Sequence, residues 1–429
     1  MPIQKQKQPI AEPKNYWHML GPGLTTGAAD DDPSGIATYT QTGAAFGYQF
    51  LWLALLTFPF MSIIQEMCAR IGIVTGRGLA GAIRRNYSTT ILFTWAGLLF
   101  AANAFNLGAD LGMMARALQL LVHINFVVAL LAFAAISLYL QIFTTYASYA
   151  KILKWTAFVL LSYVVSGFIV HIDWAQAAHA LVLPKLHFNK QTFIILAAVL
   201  GTTISPYLFF WQTSQEVEEQ IQEGKKTIKQ REAQTTAADI KAMRVDVWSG
   251  MLLSNVVMFF IIAVCAVTLF SHGIHDITDA TQAASALKPL AGNFAFLLFS
   301  LGIIGTGLLG IPVLAGSSSY AISESFGWRE GLYRKYKQAH AFYGVIIISM
   351  LVGLCMNFLH VGVIKMLIYS AVLNGLVAPF ILAIIVHLSS NKKIMKQWTN
   401  HPAVTWAGWA ITVFMGFVAV ATVWFLLAP

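Results

Sequence analysis

The chain has 429 residues, of which 57% are hydrophobic and only 10% charged, with a net charge of +9. A water-soluble globular chain carries about 25% charged residues, so most of this one cannot be wetted by water. Repeated apolar runs of about 20 residues specify a polytopic all-α membrane protein, because a helix satisfies all of its own backbone groups in lipid. Three scattered cysteines (Cys68, Cys265, Cys355), each within an apolar stretch, exclude a secreted disulfide scaffold. The positive charge sits in loops between apolar runs rather than along a basic groove, which argues against a nucleic-acid partner.

In chain order, segment 1–17 is polar and lysine-bearing, with no removable signal peptide after it, and is read as cytoplasmic. Eleven spans follow at 18–46, 48–74, 89–121, 124–143, 147–171, 191–213, 245–271, 291–326, 338–357, 361–388 and 403–428, the first and sixth of them interrupted. With the N-terminus inside, 22 of the 27 Lys and Arg fall on the inner side and four on the outer, while Arg116 lies within a span. This asymmetry obeys the positive-inside rule and places the C-terminus outside, with the bacterial inner (plasma) membrane the expected location. The spans group into a five-helix unit over 18–171, an external loop at 172–190 and a second five-helix unit over 191–388. A loop and the eleventh helix close the chain at 389–429. The inner loop 215–247 carries Glu216, Glu218, Glu219 and Glu223 ahead of Lys225, Lys226, Lys229 and Arg231. It reads as a solvated helical extension with acid-before-base pairs and is assigned no chemistry.

The first interrupted span contains Asp30-Asp31-Asp32-Pro33-Ser34-Gly35. Each central Asp costs about 2.5–3.5 kcal/mol on insertion into lipid. Pro33 removes an amide donor and clashes with the preceding turn, and Gly35 lets the backbone unwind. Such backbone survives at membrane depth only when it is buried in protein or lines a watery cavity. The sixth span contains Gly201-Thr202-Thr203-Ile204-Ser205-Pro206-Tyr207, where Gly201 and Pro206 bracket hydroxyl residues. Pro33 and Pro206 are 173 residues apart, and the breaks fall in spans one and six, an offset of five spans between equivalent positions. Paired breaks in corresponding halves mark an inverted-repeat secondary transporter with its site at the bilayer midplane. Unwound carbonyls and half-helix C-terminal ends supply partial negative charge there, and Asp32 a full one, which favours a cation as cargo.

Other polar residues inside the spans are weaker candidates. Asp110 is either an ion-path carboxylate or a buried structural acceptor. Glu66, near the cytoplasmic end of span two, is as readily a packing or gating contact. Asn374 interrupts span ten, and Ala315-Gly316-Ser317-Ser318-Ser319 lies in span eight, where small residues more often mean close helix packing.

Taken together these motifs resemble the Nramp (natural-resistance-associated macrophage protein) family of proton-coupled divalent-metal transporters. The resemblance rests on Gly21-Pro22-Gly23, Asp32-Pro33 with Ile36-Ala37-Thr38, Gln65-Glu66 with Ala69-Arg70, Gly201 with Thr203 and Pro206, and Ala315-Gly316-Ser317-Ser318. It implies a LeuT-type fold, a 5+5 inverted repeat plus an eleventh helix, with Asp32 and the Thr202 carbonyl as metal ligands. Family members typically read Asp-Pro-Gly-Asn in helix one and Met-Pro-His in helix six. Here Gly35 replaces the Asn, Ser205 the Met, Thr202 a preceding Ala and Tyr207 a His tied to proton movement. Asp110 matches an acidic position also tied to proton movement, Met113 stands where a second carboxylate is usual, and Ala371 replaces a Gln able to join the metal shell.

A thioether helps select soft transition metals. Its loss, with Asp30, Asp31 and hydroxyls nearby, leaves an all-oxygen and more acidic site suited to Mg²⁺ or Mn²⁺, partly hydrated, with weak or absent proton coupling. This resembles the Nramp-related branch that carries magnesium. Two alternatives stay open: ordinary proton-coupled Mn²⁺/Fe²⁺ transport, and a LeuT-type organic-solute symporter, for which Tyr207 and Trp211 speak. No metalloprotease motif or nucleophile–base pair suggests an enzyme. The metal ion is cargo rather than cofactor, the bilayer is the other partner, and no obligate protein partner is implied.

Overall fold

The computed structural model describes residues 21–144, 161–184, 189–359 and 361–427. Its principal helices are α1 (Pro22–Asp30), α2 (Pro33–Phe46), α3 (Trp52–Thr75), α4 (Leu79–Asn86), α5 (Thr89–Gln119), α6 (Phe126–Phe143), α7 (Leu161–Ile169) and α8 (Trp174–Val182). They continue as α9 (Lys190–Thr203), α10 (Pro206–Gln222), α11 (Ile228–Ala233), α12 (Ala237–Thr268), α13 (Ala295–Phe326), α14 (His340–Met356), α15 (Val363–Ser390) and α16 (Pro402–Leu427). No strand occurs among the described residues. Among the described residues, eight segments are long and apolar enough to cross a bilayer, with α9 and α10 counted as one; α14 is shorter at 17 residues. The first crossing is divided between α1 and α2, and most of the expected fifth span, like segment 1–17, lies outside the described residues.

With lipid on one side of the balance and apolar side chains on the other, helices associate through close backbone approach rather than water exclusion. Glycines provide it here. A Cβ at Gly27 would fall 2.3 Å from the Gly250 carbonyl oxygen, and one at Gly250 would fall 2.2 Å from that of Gly23, so α1 lies directly on α12. Gly108 on α5 meets Gly353 on α14 in the same way. Gly201 meets Ala371 and Gly375 on α15, where a Cβ would sit 2.0 Å from the Ala371 carbonyl oxygen. Gly201 is therefore inside α9 and serves helix contact; it does not break the sixth span, as its sequence context suggests. The break comes three residues later, at Ile204 and Ser205.

The 215–247 loop also differs from its reading as a solvated extension. Glu216, Glu218, Arg231 and Asp246 are all buried. Arg231 donates to the carbonyls of Gly76, Lys225 and Lys226, which fastens α11 to the turn after α3. Asp246 accepts the Gly21, Gly23 and Leu24 amides at 2.8, 2.6 and 3.0 Å. Helix α1 has no side-chain cap of its own, so Asp246 satisfies its orphan amides and sets a carboxylate at its positive end.

Two substitutions test this docking by thermal unfolding in detergent. Asp246→Ala is expected to cost about 1.5–3 kcal/mol, as loss of a charged hydrogen-bond acceptor does. Gly27→Val is expected to cost about 4 kcal/mol or more through overpacking and backbone displacement. Gly97, with open space around it, should accept alanine with an unchanged melting point.

Candidate functional site at the paired helix breaks

Helix α1 stops at Asp30 because Pro33 cannot continue it, and Asp31 and Asp32 leave the helical region at φ −82°, ψ 47° and φ −67°, ψ 172°. Asp32 then caps α2. Its Oδ1 accepts from the Gly35 amide (2.8 Å) and the Ser34 hydroxyl (2.7 Å). Its Oδ2 accepts from the Tyr207 hydroxyl (3.1 Å) and the Asn106 amide (3.2 Å), and the Asn106 Oδ1 accepts in turn from Ser370 (2.8 Å). One carboxylate thus ties α2 to α5, α10 and, through Asn106, α15. Gly310 of α13 closes a further side, where a Cβ would stand 3.1 Å from the Asp32 Cβ.

Asp30 and Asp31 turn away toward α12, where the Ser254 hydroxyl lies 2.5 Å from Asp30 Oδ2 and 3.3 Å from Asp31 Oδ1. The run of three acids is therefore divided between two environments. Accordingly, no group of three His, Cys, Asp or Glu poised to hold a metal occurs among the described residues. Any ion at the junction would take one or two carboxylates, with the rest of its shell from carbonyls, hydroxyls or water.

At the second break Ser205, extended at φ −86°, ψ 133°, precedes Pro206 at the first position of α10. Its hydroxyl reaches back to the carbonyls of Gly201 (2.5 Å) and Thr202 (2.7 Å) at the end of α9. The Thr202 carbonyl keeps a second lone pair. The Thr202 hydroxyl is buried without a hydrogen-bond partner, and a Cβ on Gly35 would lie 3.3 Å from it and 3.1 Å from the Asp30 carbonyl oxygen. The two breaks meet at Gly35 and Thr202. The space where an asparagine side chain at position 35 would begin is crowded by the Thr202 hydroxyl, so the two departures from the Nramp pattern are physically linked. The C-terminal ends of α1 and α9 bring negative dipole ends to the junction, and α2 and α10 bring positive ones.

The remaining candidates are spread around this junction or away from it. Asp110 lies one turn beyond Asn106, buried beside Asp32 and the Ser34 backbone, with no well-formed hydrogen bond to either oxygen. Asn374, one turn after Ser370 on α15, is buried with its whole amide unpartnered, and Ala371 offers only a methyl and the carbonyl facing Gly201. Glu66 sits elsewhere. It accepts from Arg244 and Trp248, both at 2.9 Å, and faces Arg70 at 3.6 Å. That makes it a tie between α3 and α12, with no bond into the Asp30–Asp32 cluster. Asn106, Ser254 and Ser370 complete the site and are not singled out by the sequence motifs. The spacing Asn103, Asn106, Asp110 does mark a polar stripe on one face of α5.

Asp30, Asp31, Asp32 and Asp110 take part in none of the ion pairs among the described residues. A buried ion without a counter-charge costs several kcal/mol. The junction therefore gathers buried carboxyl groups with no cationic side chain paired to them and lines them with oxygen donors, and it is shut from both faces, since Asp32, Thr202 and Tyr207 are all buried.

The Gly35–Thr202 contact predicts non-additivity. Gly35→Asn alone is expected to lower the melting point, and Thr202→Ala in the same chain to recover part of the loss. In a double-mutant cycle the coupling should fall within about 0.5–3 kcal/mol. Strict additivity would show that the two positions do not compete for space.

Comparison with known proteins follows the same lines. The family model for natural resistance-associated macrophage protein-like (Nramp) proteins matches residues 23–425. A divalent metal cation transporter MntH of Mycobacterium leprae is 23% identical over 422 residues, covering 96% of this chain and 93% of its own. The MntH of Klebsiella pneumoniae is 27% identical over 404 residues, covering 92% and 91%. Among solved structures, the Eremococcus coleocola manganese transporter in complex with an aromatic bis-isothiourea substituted compound superposes with a TM-score of 0.74 at 18% identity, covering 97% of this chain and 88% of that one. Mhp1, a nucleobase-cation-symport-1 family transporter, superposes at 0.56 with 16% identity, covering 98% and 94%, which places the fold in the LeuT-type class. With its family's model matched from the start of α1 to the end of α16, the chain belongs to the Nramp family.

Proposed function

We propose that this protein is a secondary transporter that carries a hard divalent cation, Mg²⁺ or Mn²⁺, across the membrane by alternating access. The observation that carries this reading is the set of four buried carboxylates without a cationic partner at the meeting point of two broken helices. The Asp32 carboxylate, the Thr202 carbonyl and the hydroxyls of Thr202 and Ser205 would supply the protein's share of the shell, with Asp30 and Asp31 lowering the potential from the α12 side. Gly35 contributes by leaving room, not by ligation. All these donors are oxygens. Hard cations bind carboxylates and carbonyls, and Mg²⁺ keeps several waters because it dehydrates reluctantly, which suits a site with few preassembled ligands.

The Lys/Arg-rich loops orient the α1 end of the molecule to the cytoplasm. Opening toward that side requires α1 to leave α12 and its amides to leave Asp246, while the rest of the site stays anchored by Asn106 and Tyr207. Tyr207 occupies the position of the family's proton-linked histidine and spends its hydroxyl on Asp32. Met113 adds no carboxylate. Proton movement is accordingly weak or absent.

A second reading, proton-coupled Mn²⁺ transport without Mg²⁺, draws on the manganese and divalent-metal names of the relatives. The organic-solute reading loses its aromatic residues: Tyr207 is bonded to Asp32, and Trp211 packs on Gly316 and Tyr320.

Influx into proteoliposomes separates these readings. Mn²⁺ and Mg²⁺ should both enter, each inhibiting the other, with little lumenal acidification and with both fluxes lost in Asp32→Ala. Mn²⁺ entry that excess Mg²⁺ does not inhibit, or that acidifies the lumen strongly, would favour the second reading over the first.

A further inference from the structure

At the Lys/Arg-rich end, where α4, α10 and α13 approach one another, lies a cavity of about 510 Å³ distinct from the paired breaks. Its walls hold six cationic side chains and three carboxylates. Two of the acids are already engaged. Glu324 accepts the Gly81 amide (2.7 Å), and Glu218 accepts the Leu332 amide (2.5 Å) and the Tyr320 hydroxyl. Arg231 is likewise committed to backbone carbonyls. Arg84 and Arg334 each donate to one carbonyl, of Glu324 (3.4 Å) and Glu330 (2.9 Å), and keep further N–H groups. Arg77, Arg84, Lys226, Arg329 and Arg334 take part in no ion pair among the described residues, and the Arg77 Nε is buried without a partner. Glu330 is the third carboxylate facing them, beside Glu218 and Glu324. Burial, helped by Glu218, lifts its carboxyl to about 7 against the pull of Arg334, Arg231 on α11 and Arg84 on α4.

The rim of the cavity is aromatic. Trp328, one of its lining residues, stacks on Phe326 at 4.6 Å and 10°, and Phe326 meets Phe93 at 4.9 Å. All three rings are exposed, at 41%, 50% and 41% respectively. Exposed aromatic rings at a helix end mark the depth where headgroups meet acyl chains. Basic pockets between membrane helices on the cytoplasmic side suit anionic headgroups.

We propose that this cavity binds the phosphate ester of an anionic lipid from the cytoplasmic leaflet, with the phosphate among Arg77, Arg84, Arg329 and Arg334 and the acyl chains along Phe93, Phe326 and Trp328. The site does not depend on which ion the transporter carries. A free phosphate compound offers the same chemistry to the arginines but makes no use of the aromatic rim. As pH falls through about 7, Glu330 takes up its proton, the cavity becomes more positive and the phosphate is held more tightly.

Native mass spectrometry of the purified full chain with phosphatidylglycerol or phosphatidylcholine tests this. Wild type is expected to retain phosphatidylglycerol in preference, more at pH 6 than at pH 8. Each cation near an anionic surface contributes roughly five-fold, so Arg84→Gln with Arg334→Gln should lower retention roughly 25-fold. Arg85→Gln, which loses one charge as Arg329→Gln does but at a residue paired with Glu232 outside the cavity, should retain it. Arg329→Gln, at an exposed residue, gives a single-site reading with an expected five-fold loss should the double variant fail to fold. Equal retention of the two lipids, or equal losses from Arg85→Gln and the cavity variants, would overturn the proposal. Displacement of the lipid by millimolar inorganic phosphate or ATP would assign the arginines to a free phosphate and overturn the lipid assignment.

Discussion

Three consecutive carboxylates buried within a membrane protein, with no Lys or Arg of the described residues paired to them, are the constraint around which the rest is arranged. Lipid cannot solvate them, and a continuous helix could not present their neighbours' backbone groups to a common point. Breaking the helix at Pro33 answers both difficulties. It frees backbone donors, one of which, the Gly35 amide, is given to Asp32, and it brings the C-terminal end of α1 against the equivalent end of α9. What is left over is a set of buried carboxyl groups without a cationic side chain, and on the proposed function a divalent cation complements them.

Asp32 is the hub of this arrangement. Four hydrogen bonds from three helices converge on it, so whatever binds at the junction is felt by α2, α5 and α10 together. Asp30 and Asp31 belong instead to α12 through Ser254. The two halves of the acidic run are thus attached to different parts of the molecule. Helix α1 ends on the first acid of the run, at Asp30, and is held at its far end by Asp246. A movement of α1 would change the separation between the two carboxylate environments, and hence the charge seen by an ion between them. This gives the glycine-to-glycine contact of α1 on α12 a functional meaning: it is close enough to fix the geometry, yet it rests on backbone contact rather than on interlocked large side chains.

The breaks are legible in the sequence because Pro, Gly and Asp act on local backbone and solvation whatever surrounds them. The span boundaries follow from the same local hydropathy, and α12 begins well before its expected start only because polar Ala237–Arg244 is helical without being apolar. Gly201 is misread for a physical reason. Glycine serves equally as a breaker and as a point of close approach, and only Gly375, far along the chain, decides between them. Asn106 and Ser254 are hard to recognise because a polar residue on a long span has meaning only once the rotational phase of its helix is known. Acid-before-base strings look alike whether solvated or docked, so Glu218 and Asp246 are indistinguishable in sequence from exposed neighbours such as Glu223. Conversely, replacement of the family's asparagine by Gly35 and of its alanine by Thr202 is visible as two separate departures, and only the contact between them makes them one change.

The central claim is that a hard divalent cation sits at the junction of the two breaks. Anomalous diffraction from crystals grown with Mn²⁺ tests it most directly. The account predicts a peak within about 2.0–2.6 Å of an Asp32 carboxylate oxygen, the range of hard cations on oxygen, that disappears when the crystals are soaked in excess Mg²⁺. A peak remote from Asp32, or one at Asp32 that excess Mg²⁺ leaves in place, would contradict it.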